Sequence, residues 1–276
     1  MRLKILHRTT YSYSDPVPYA LQQLRLTAKD RPCQKVFDWK IEVTGGRKEL
    51  SFEDQNANQV VLISYHGDGH EIVVEATGEV ETRDTSGVSG QHGGFAPLWL
   101  FQRPTDLTRQ GNGIRSLVKG LNADIEDPIA RCHALSERVL EAVKYEKGQT
   151  GTETSAEAAL TAGTGVCQDH AHVFIAAARQ LGFPARYVSG YLFMEETEQQ
   201  DASHAWAEVH IAGLGWVGFD VPNEVCPDER YVRVATGLDY SEAAPISGLN
   251  FGAQGEKLGV DIKVSRVAQS QQQQQS

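Results

Sequence analysis

The sequence lacks any long apolar run. Its longest one, residues 173–178, is far below the roughly 18 residues that indicate a membrane-spanning helix. The N-terminal segment also lacks an apolar stretch, because residues 1–15 carry Lys4, His7 and Arg8 and read as a strand. This pattern is not that of a secretory signal. We therefore expect a soluble bacterial protein located in the cytoplasm.

Cysteine and positive charge are both scarce. The four cysteines lie far apart in the sequence, at Cys33, Cys132, Cys167 and Cys226. Without a secretory signal, such cysteines are expected to be free thiols and not disulfides. The chain has 26 Lys and Arg against 36 Asp and Glu, a net charge of −10. This acidic balance argues against a nucleic-acid or membrane partner, and the sequence does not indicate the oligomeric state.

The first part of the chain predicts short strands. The length of 276 residues corresponds to one or two domains. Residues 38–43 alternate charged and apolar, which is typical of a half-buried strand. Several strands at this spacing predict an antiparallel β-sandwich over residues 1–112. The candidate strands are residues 2–13, 22–26, 37–43, 60–65 and 72–82.

Helical patterns begin after Gly111-Asn112-Gly113. They predict a helix that starts at Asp127-Pro128, a shorter one with Thr154 as N-cap and Glu157 in a capping box, and a third from about residue 164 to residue 182. Strands follow at residues 185–193, 204–211, 216–221 and 258–264. We expect a catalytic core with C-terminal strands over residues 113–265, and a disordered glutamine-rich tail over residues 266–276.

Cys167 is the most reactive candidate, because it lies in the first turn of the third predicted helix. The positive end of a helix and its unpaired N–H groups stabilise a thiolate, which is the nucleophilic form. The same N–H groups suit the oxyanion that forms when a carbonyl is attacked. The alternative is that Cys167 is only a small buried hydrophobic residue.

His204 and Asp220 lie on two successive predicted strands. If the apolar faces of the two strands share one core, His204 and Asp220 share the opposite face as cross-strand neighbours. This requires a bulge or a connection longer than two residues between the strands. Cys167, His204 and Asp220 would then supply a nucleophile, a base and an orienting carboxylate. Taken singly, His204 could be a structural histidine and Asp220 a turn residue.

His170 is a rival base, because it lies three residues after Cys167 on the same helical face. The pair also has the spacing of metal ligands, but no second pair at matching spacing accompanies it. We expect no metal and no cofactor. Trp206 and Trp216 are interpreted as packing residues, with a substrate groove as the alternative.

Four long segments carry a resemblance to a known family: residues 165–171 (GVCQDHA), 182–191 (GFPARYVSGY), 201–209 (DASHAWAEV) and 215–220 (GWVGFD). They resemble the bacterial transglutaminase-like family, within the superfamily of Cys-His-Asp cysteine peptidases, amidases and acyltransferases. Residues 231–235 and 237–240 extend the resemblance, and residues 7–26 resemble the β-rich domain that precedes the core in this subgroup.

The resemblance implies an α+β fold in which the sandwich precedes a papain-like transglutaminase core, with a cysteine helix packed on an antiparallel sheet. It also implies that Cys167, His204 and Asp220 are catalytic. One departure is that family members usually follow the aspartate with Pro-Thr, whereas Val221-Pro222-Asn223 follows Asp220 here.

The reaction that these residues predict is acyl transfer on an amide or peptide bond through a thioester, with hydrolysis favoured over amine transfer. The expected partner is a peptide, protein or amide substrate. From Cys167 to Asp220, seven acidic residues accompany only Arg179 and Arg186, a local charge of −5. This excess favours a cationic or amine-bearing substrate. The alternative function is a non-catalytic module that binds peptides or proteins.

Overall fold

The computed structural model describes residues 1–15, 19–66, 69–251 and 255–267. Its first sheet has five strands in the order β11-β16-β1-β6-β3. They are β1 (Arg2–Ser12), β3 (Gln34–Thr44), β6 (Glu71–Thr82), β11 (Gln199–Gln200) and β16 (Lys257–Arg266). A second sheet has four strands in the order β15-β2-β5-β4. They are β2 (Tyr19–Leu24), β4 (Arg47–Glu53), β5 (Gln59–His66) and β15 (Ile246–Phe251).

These two sheets pack as the predicted β-rich sandwich. Ile41 from β3 and Val74 from β6 share a buried cluster with Leu24 from β2 and Ile63 from β5. Alternating side chains reach this core, as the pattern of residues 38–43 predicts. β4 was not predicted, because all of its residues are exposed and their charges obscure the alternation.

The C-terminal strands differ from the predicted domain division. β16 pairs with β1 and β15 pairs with β2, so both complete the sandwich, whereas the sequence analysis assigned them to the catalytic core. The physical reason is that Ile262 and Val264 alternate into the same buried cluster as Leu3 and Ile5 of β1. The predicted tail begins inside β16, at Arg266, and its residues 268–276 lie outside the described residues.

A third sheet forms the second part of the molecule. Its five strands follow the order β14-β10-β12-β13-β7. They are β7 (Val88–Gly90), β10 (Ala185–Leu192), β12 (His204–Ile211), β13 (Gly215–Phe219) and β14 (Tyr231–Gly237). A short parallel pair, β8 (Lys144–Tyr145) and β9 (Thr164–Gly165), stands apart from it.

The helices belong to the same part of the molecule as this third sheet. They are a 3-10 helix (Leu98–Gln102), α1 (Asn112–Leu117), α2 (Leu121–Asp124), α3 (Pro128–Ala142), α4 (Ala156–Ala162), α5 (Cys167–Gln180) and α6 (Tyr240–Ala243). The described helices include none with the length and apolar character needed to cross a membrane. Together with the sandwich, they confirm the predicted α+β fold.

α5 is the central helix of the core. It packs on β10 and β12, and its residues 173–178 are fully buried. Small alanines in this run let the helix approach the sheet closely. The helix ends at Gln180 with Leu181 as its C-cap, and Gly182 follows with a φ of 90°, a left-handed conformation that favours glycine. The C-terminal end therefore agrees with the sequence prediction, whereas the helix begins at Cys167 and not at residue 164, because Thr164 and Gly165 form β9.

The N-cap of α4 is Ser155, which accepts a hydrogen bond from the Ala158 backbone N–H. The predicted cap, Thr154, is therefore wrong by one residue. Glu157 does not form the predicted capping box. Its carboxylate accepts hydrogen bonds of 2.8–3.0 Å from three N–H groups at the start of α1, namely those of Gly111, Gly113 and Ile114. A carboxylate at this position complements the positive end of a helix.

Candidate functional site

The hairpin between β12 and β13 sets the geometry of the site. Ile211 pairs with Gly215 and Ala207 with Phe219 without a register shift. Three residues, 212–214, connect the strands, and Gly213 has a φ of 86°. The predicted longer connection is therefore confirmed, and the apolar residues of both strands share the face packed on α5.

His204 and Asp220 meet on the opposite face. Because Ala207 pairs with Phe219, the register places Asp220 across from Trp206 and diagonal to His204. His204 Nε2 lies 2.6 Å from Asp220 Oδ2. The His204 side chain is 13% exposed and that of Asp220 is 0% exposed. This is a buried, charge-assisted contact, in which the histidine donates from Nε2 and keeps Nδ1 for another partner.

Cys167 is the first residue of α5 and is half-buried. The start of the helix is fixed by Asp169, whose Oδ2 accepts hydrogen bonds of 2.7 Å from the Val166 N–H and the Thr150 hydroxyl. Cys167 lies near enough to His204 to raise the pKa of that histidine. The structure therefore brings Cys167, His204 and Asp220 together.

The electrostatics of this group favour a charged histidine. Burial lowers the pKa of His204, but hydrogen bonds and negative charge from Asp220 and Cys167 outweigh it and raise the pKa to about 10. Burial raises the pKa of Asp220. The hydrogen bond and charge of His204, together with hydrogen bonds from Tyr231 and Asn223, nevertheless bring this pKa below its usual value. A charged imidazole beside a cysteine is what a thiol enzyme uses to deliver a proton to the leaving group.

Comparison with known proteins gives the family. Residues 115–221 match the transglutaminase-like superfamily, and residues 3–81 match the bacterial transglutaminase-like N-terminal region. The chain belongs to the transglutaminase-like superfamily. It is 28% identical to an uncharacterised protein of Mycobacterium leprae, over 97% of this chain and 99% of that protein.

Two further proteins are similar to this chain. An uncharacterised protein of Mycobacterium tuberculosis is 26% identical over 96% of this chain and 92% of its own. A solved structure from Cytophaga hutchinsonii, described as a candidate cysteine protease, superposes with a TM-score of 0.76 at 24% identity. It covers 98% of this chain and 92% of that one, which shows that the two share a fold.

Two residues that hold the Asp220 carboxylate were missed by the sequence analysis. Asn223 Nδ2 lies 2.8 Å and the Tyr231 hydroxyl 2.7 Å from Asp220 Oδ2, and both donate to it. Asn223 stands in the segment that departs from the usual transglutaminase-like pattern, so that departure was a usable signal. Glu224, with a φ of 56°, completes a tight turn that brings Val225 back to bridge Asp220.

Aromatic rings fix the orientation of His204. Trp206 stacks beside it with ring centroids 6.3 Å apart, and Tyr231 lies 5.9 Å away. Trp206 is only 3% exposed, so it packs in the interior as the favoured interpretation states. Beyond Trp206 on the same face, buried Glu208 binds Arg186 at 2.6 Å and Arg233 at 3.0 Å.

His170 does not lie in the position of a base. Both of its ring nitrogens contact backbone carbonyl oxygens. Nδ1 lies 2.9 Å from the carbonyl oxygen of Val166, and Nε2 lies 2.8 Å from the carbonyl oxygen of Val143. The imidazole is fully buried and holds the start of α5 to the end of α3. Within the described ranges, no group of three or more His, Cys, Asp or Glu side chains could hold a metal ion.

Only part of the local negative charge is both exposed and unpaired. Asp169, Glu208 and Asp220 are buried, and Glu198 pairs with Lys263 at 3.2 Å. The exposed acids that remain are Glu195, Glu196 and Asp201. A cationic substrate would therefore meet a smaller charge than the sequence count of −5 suggests.

Proposed function

We propose that this transglutaminase-like protein is a cysteine-dependent hydrolase that cleaves an amide or peptide bond through a thioester intermediate. The observation that supports it best is the position of His204, which binds Asp220 through Nε2 at 2.6 Å and lies near enough to Cys167 for that residue to raise its pKa. A nucleophile, a base and an orienting carboxylate in this order are the requirements for covalent acyl transfer.

In the first half-reaction, Cys167 Sγ attacks the substrate carbonyl carbon. The C–S bond forms as the carbonyl electron pair moves to oxygen, and the first N–H groups of α5 are free of intrahelical partners and can receive this oxyanion. When the carbonyl re-forms, the C–N bond breaks and His204 gives its proton to the departing amine. The product is a thioester on Cys167 and a free amine.

In the second half-reaction, His204 takes a proton from water, and the resulting hydroxide attacks the thioester. The C–S bond then breaks, the acid leaves, and the thiolate and imidazolium return. An amine in place of water would give transglutamination by the same steps. We favour water as the acceptor, because the protein from Cytophaga hutchinsonii that is described as a candidate cysteine protease shares this fold over nearly the whole chain.

The first test is Cys167→Ala, with Cys226→Ala as a control at another half-buried cysteine. Iodoacetamide labelling followed by mass spectrometry should map to Cys167 in the parent and disappear only in Cys167→Ala. Labelling that persists at another cysteine would refute the assignment of the nucleophile.

The second test addresses the reaction itself. Peptides and isopeptides are incubated with the protein, with and without an added amine, and the product masses are measured. Hydrolysis adds the mass of water, whereas transfer adds the mass of the amine. Peptide binding with neither product would contradict the enzyme and indicate the non-catalytic module.

A further inference from the structure

Tyr145 is an exposed aromatic residue beside the nucleophile that the proposed mechanism does not yet use. It lies on β8, which pairs in parallel with β9 so that Tyr145 stands opposite Gly165, two residues before Cys167. The Glu146 N–H donates to the Gly165 carbonyl at 2.9 Å and closes this pairing. The backbone of Tyr145 is therefore anchored to the segment that leads into the cysteine.

The ring of Tyr145 packs against α5. It stacks on the imidazole of His170, with centroids 6.2 Å apart and planes at 28°. His170 lies three residues after Cys167, so the two share one face of the helix. Because both nitrogens of His170 bind backbone carbonyls, His170 is a fixed platform for the tyrosine ring.

The hydroxyl of Tyr145 is available for a ligand. The residue is 50% exposed, and its hydroxyl makes no hydrogen bond with any residue that the structure describes. Burial first, and then the negative charges of Cys167 and Asp220, raise the pKa of Tyr145. The phenol therefore keeps its proton at neutral pH, and it can act as a hydrogen-bond donor beside the reacting cysteine.

We propose that the Tyr145 hydroxyl donates a hydrogen bond to the oxyanion that forms when Cys167 attacks a carbonyl. It acts together with the backbone N–H groups at the start of α5, so the oxyanion has donors from two elements. Tyr145 keeps its proton throughout, and His204 supplies the proton that leaves with the amine. This inference rests on the proposed thioester mechanism.

The test compares a reaction that forms an oxyanion with one that does not. p-Nitrophenyl acetate acylates a thiol through an oxyanion, and the burst of p-nitrophenolate gives the acylation rate constant. Iodoacetamide alkylates the same thiol by displacement at a saturated carbon and forms no oxyanion. Tyr145→Phe should lower the acylation rate constant about 100- to 1000-fold and leave the alkylation rate of Cys167 within about twofold.

Two controls separate the possible outcomes. Tyr19→Phe changes another exposed tyrosine, on β2 of the sandwich, and should leave both rates unchanged. The role of Tyr145 would be overturned if the acylation rate constant of Tyr145→Phe stayed within threefold of the parent value. An equal loss in the acylation and alkylation rates would also overturn it. A burst that persists in Cys167→Ala, or no burst in the parent, would instead overturn the proposed thioester chemistry.

Discussion

Replacing Asp220 by asparagine tests how the site holds its histidine. Three donors converge on Asp220 Oδ2, from His204, Asn223 and Tyr231, at 2.6–2.8 Å. An amide nitrogen at this position would face all three donors, so the amide oxygen is expected to occupy it. His204 would then keep its proton on Nε2, and Asp220→Asn would lose the negative charge and place its amide nitrogen at the buried Oδ1 position, which has no hydrogen-bond partner among the described residues.

The magnitude follows from the kind of hydrogen bond that is lost. A hydrogen bond to a charged group contributes about 1.5–3 kcal/mol and one between neutral groups about 1 kcal/mol. The difference of about 0.5–2 kcal/mol corresponds to about a 2- to 30-fold lower acylation rate constant for Asp220→Asn. Asp220→Ala removes the acceptor of all three donors and frees the imidazole to rotate, so its loss should reach about 1000-fold or more.

The pH dependence gives a second measurement on the same variants. In the parent, His204 has its pKa raised to about 10, so acylation should fall only as pH rises through that value. Without the carboxylate charge this alkaline limb should move to lower pH in Asp220→Asn. The stability from the raised pKa of His204 should be complete below its ordinary value of 6.5 and disappear as pH approaches 10.

Stopped-flow acylation with p-nitrophenyl acetate between pH 5 and pH 11, and thermal unfolding at each pH, measure both effects. Asp239→Asn is a matched control, since Asp239 is also buried and accepts hydrogen bonds, in its case from Ser241. If Asp220→Asn is as inactive as Asp220→Ala, or if its alkaline limb stays at the parent value, the three-donor reasoning is wrong.

The other two predictions concern the buried polar groups behind the site. Glu208→Gln leaves Arg186 and Arg233 buried without a charged partner, and should cost about 3–5 kcal/mol in urea unfolding; a loss below about 1 kcal/mol would contradict this. Burial opposes the charge of Glu208, but Arg186 and Arg233 lower its pKa to about 2. The parent should therefore lose the stability that the Glu208 charge provides as pH falls from about 4.5 towards 2. Glu208→Gln should show no such loss. Gln34 exchanges two hydrogen bonds of 2.8 Å with the Arg233 backbone. Gln34→Ala should therefore lower the free energy of unfolding by about 1–3 kcal/mol. An unchanged unfolding midpoint would show that these bonds add nothing to stability.

Local patterns in the sequence predicted the three central side chains, because each is a local signal. The signals for a helix start indicated Cys167. Strand alternation, with a sufficiently long connection between the strands, indicated His204 and Asp220. Asn223 and Tyr231 were missed because their contacts depend on a tight turn and on strand order, which alternation does not encode. The same limit explains β15 and β16, whose pairing with the sandwich joins residues far apart in the sequence.

The sandwich supports the strand that borders the histidine. β14 supplies Tyr231 to the Asp220 carboxylate and Arg233 to Glu208. Its Val232 and Val234 share a buried cluster with Leu3 and Ile5 of β1. Tyr231 and Arg233 lie on the face of the core sheet that carries His204, so Val232 between them points to the opposite face, and there β1 packs against β14. Since a buried ion pair is stable only where water is excluded and its partners are held in place, the sandwich is part of what keeps His204 and Asp220 in contact.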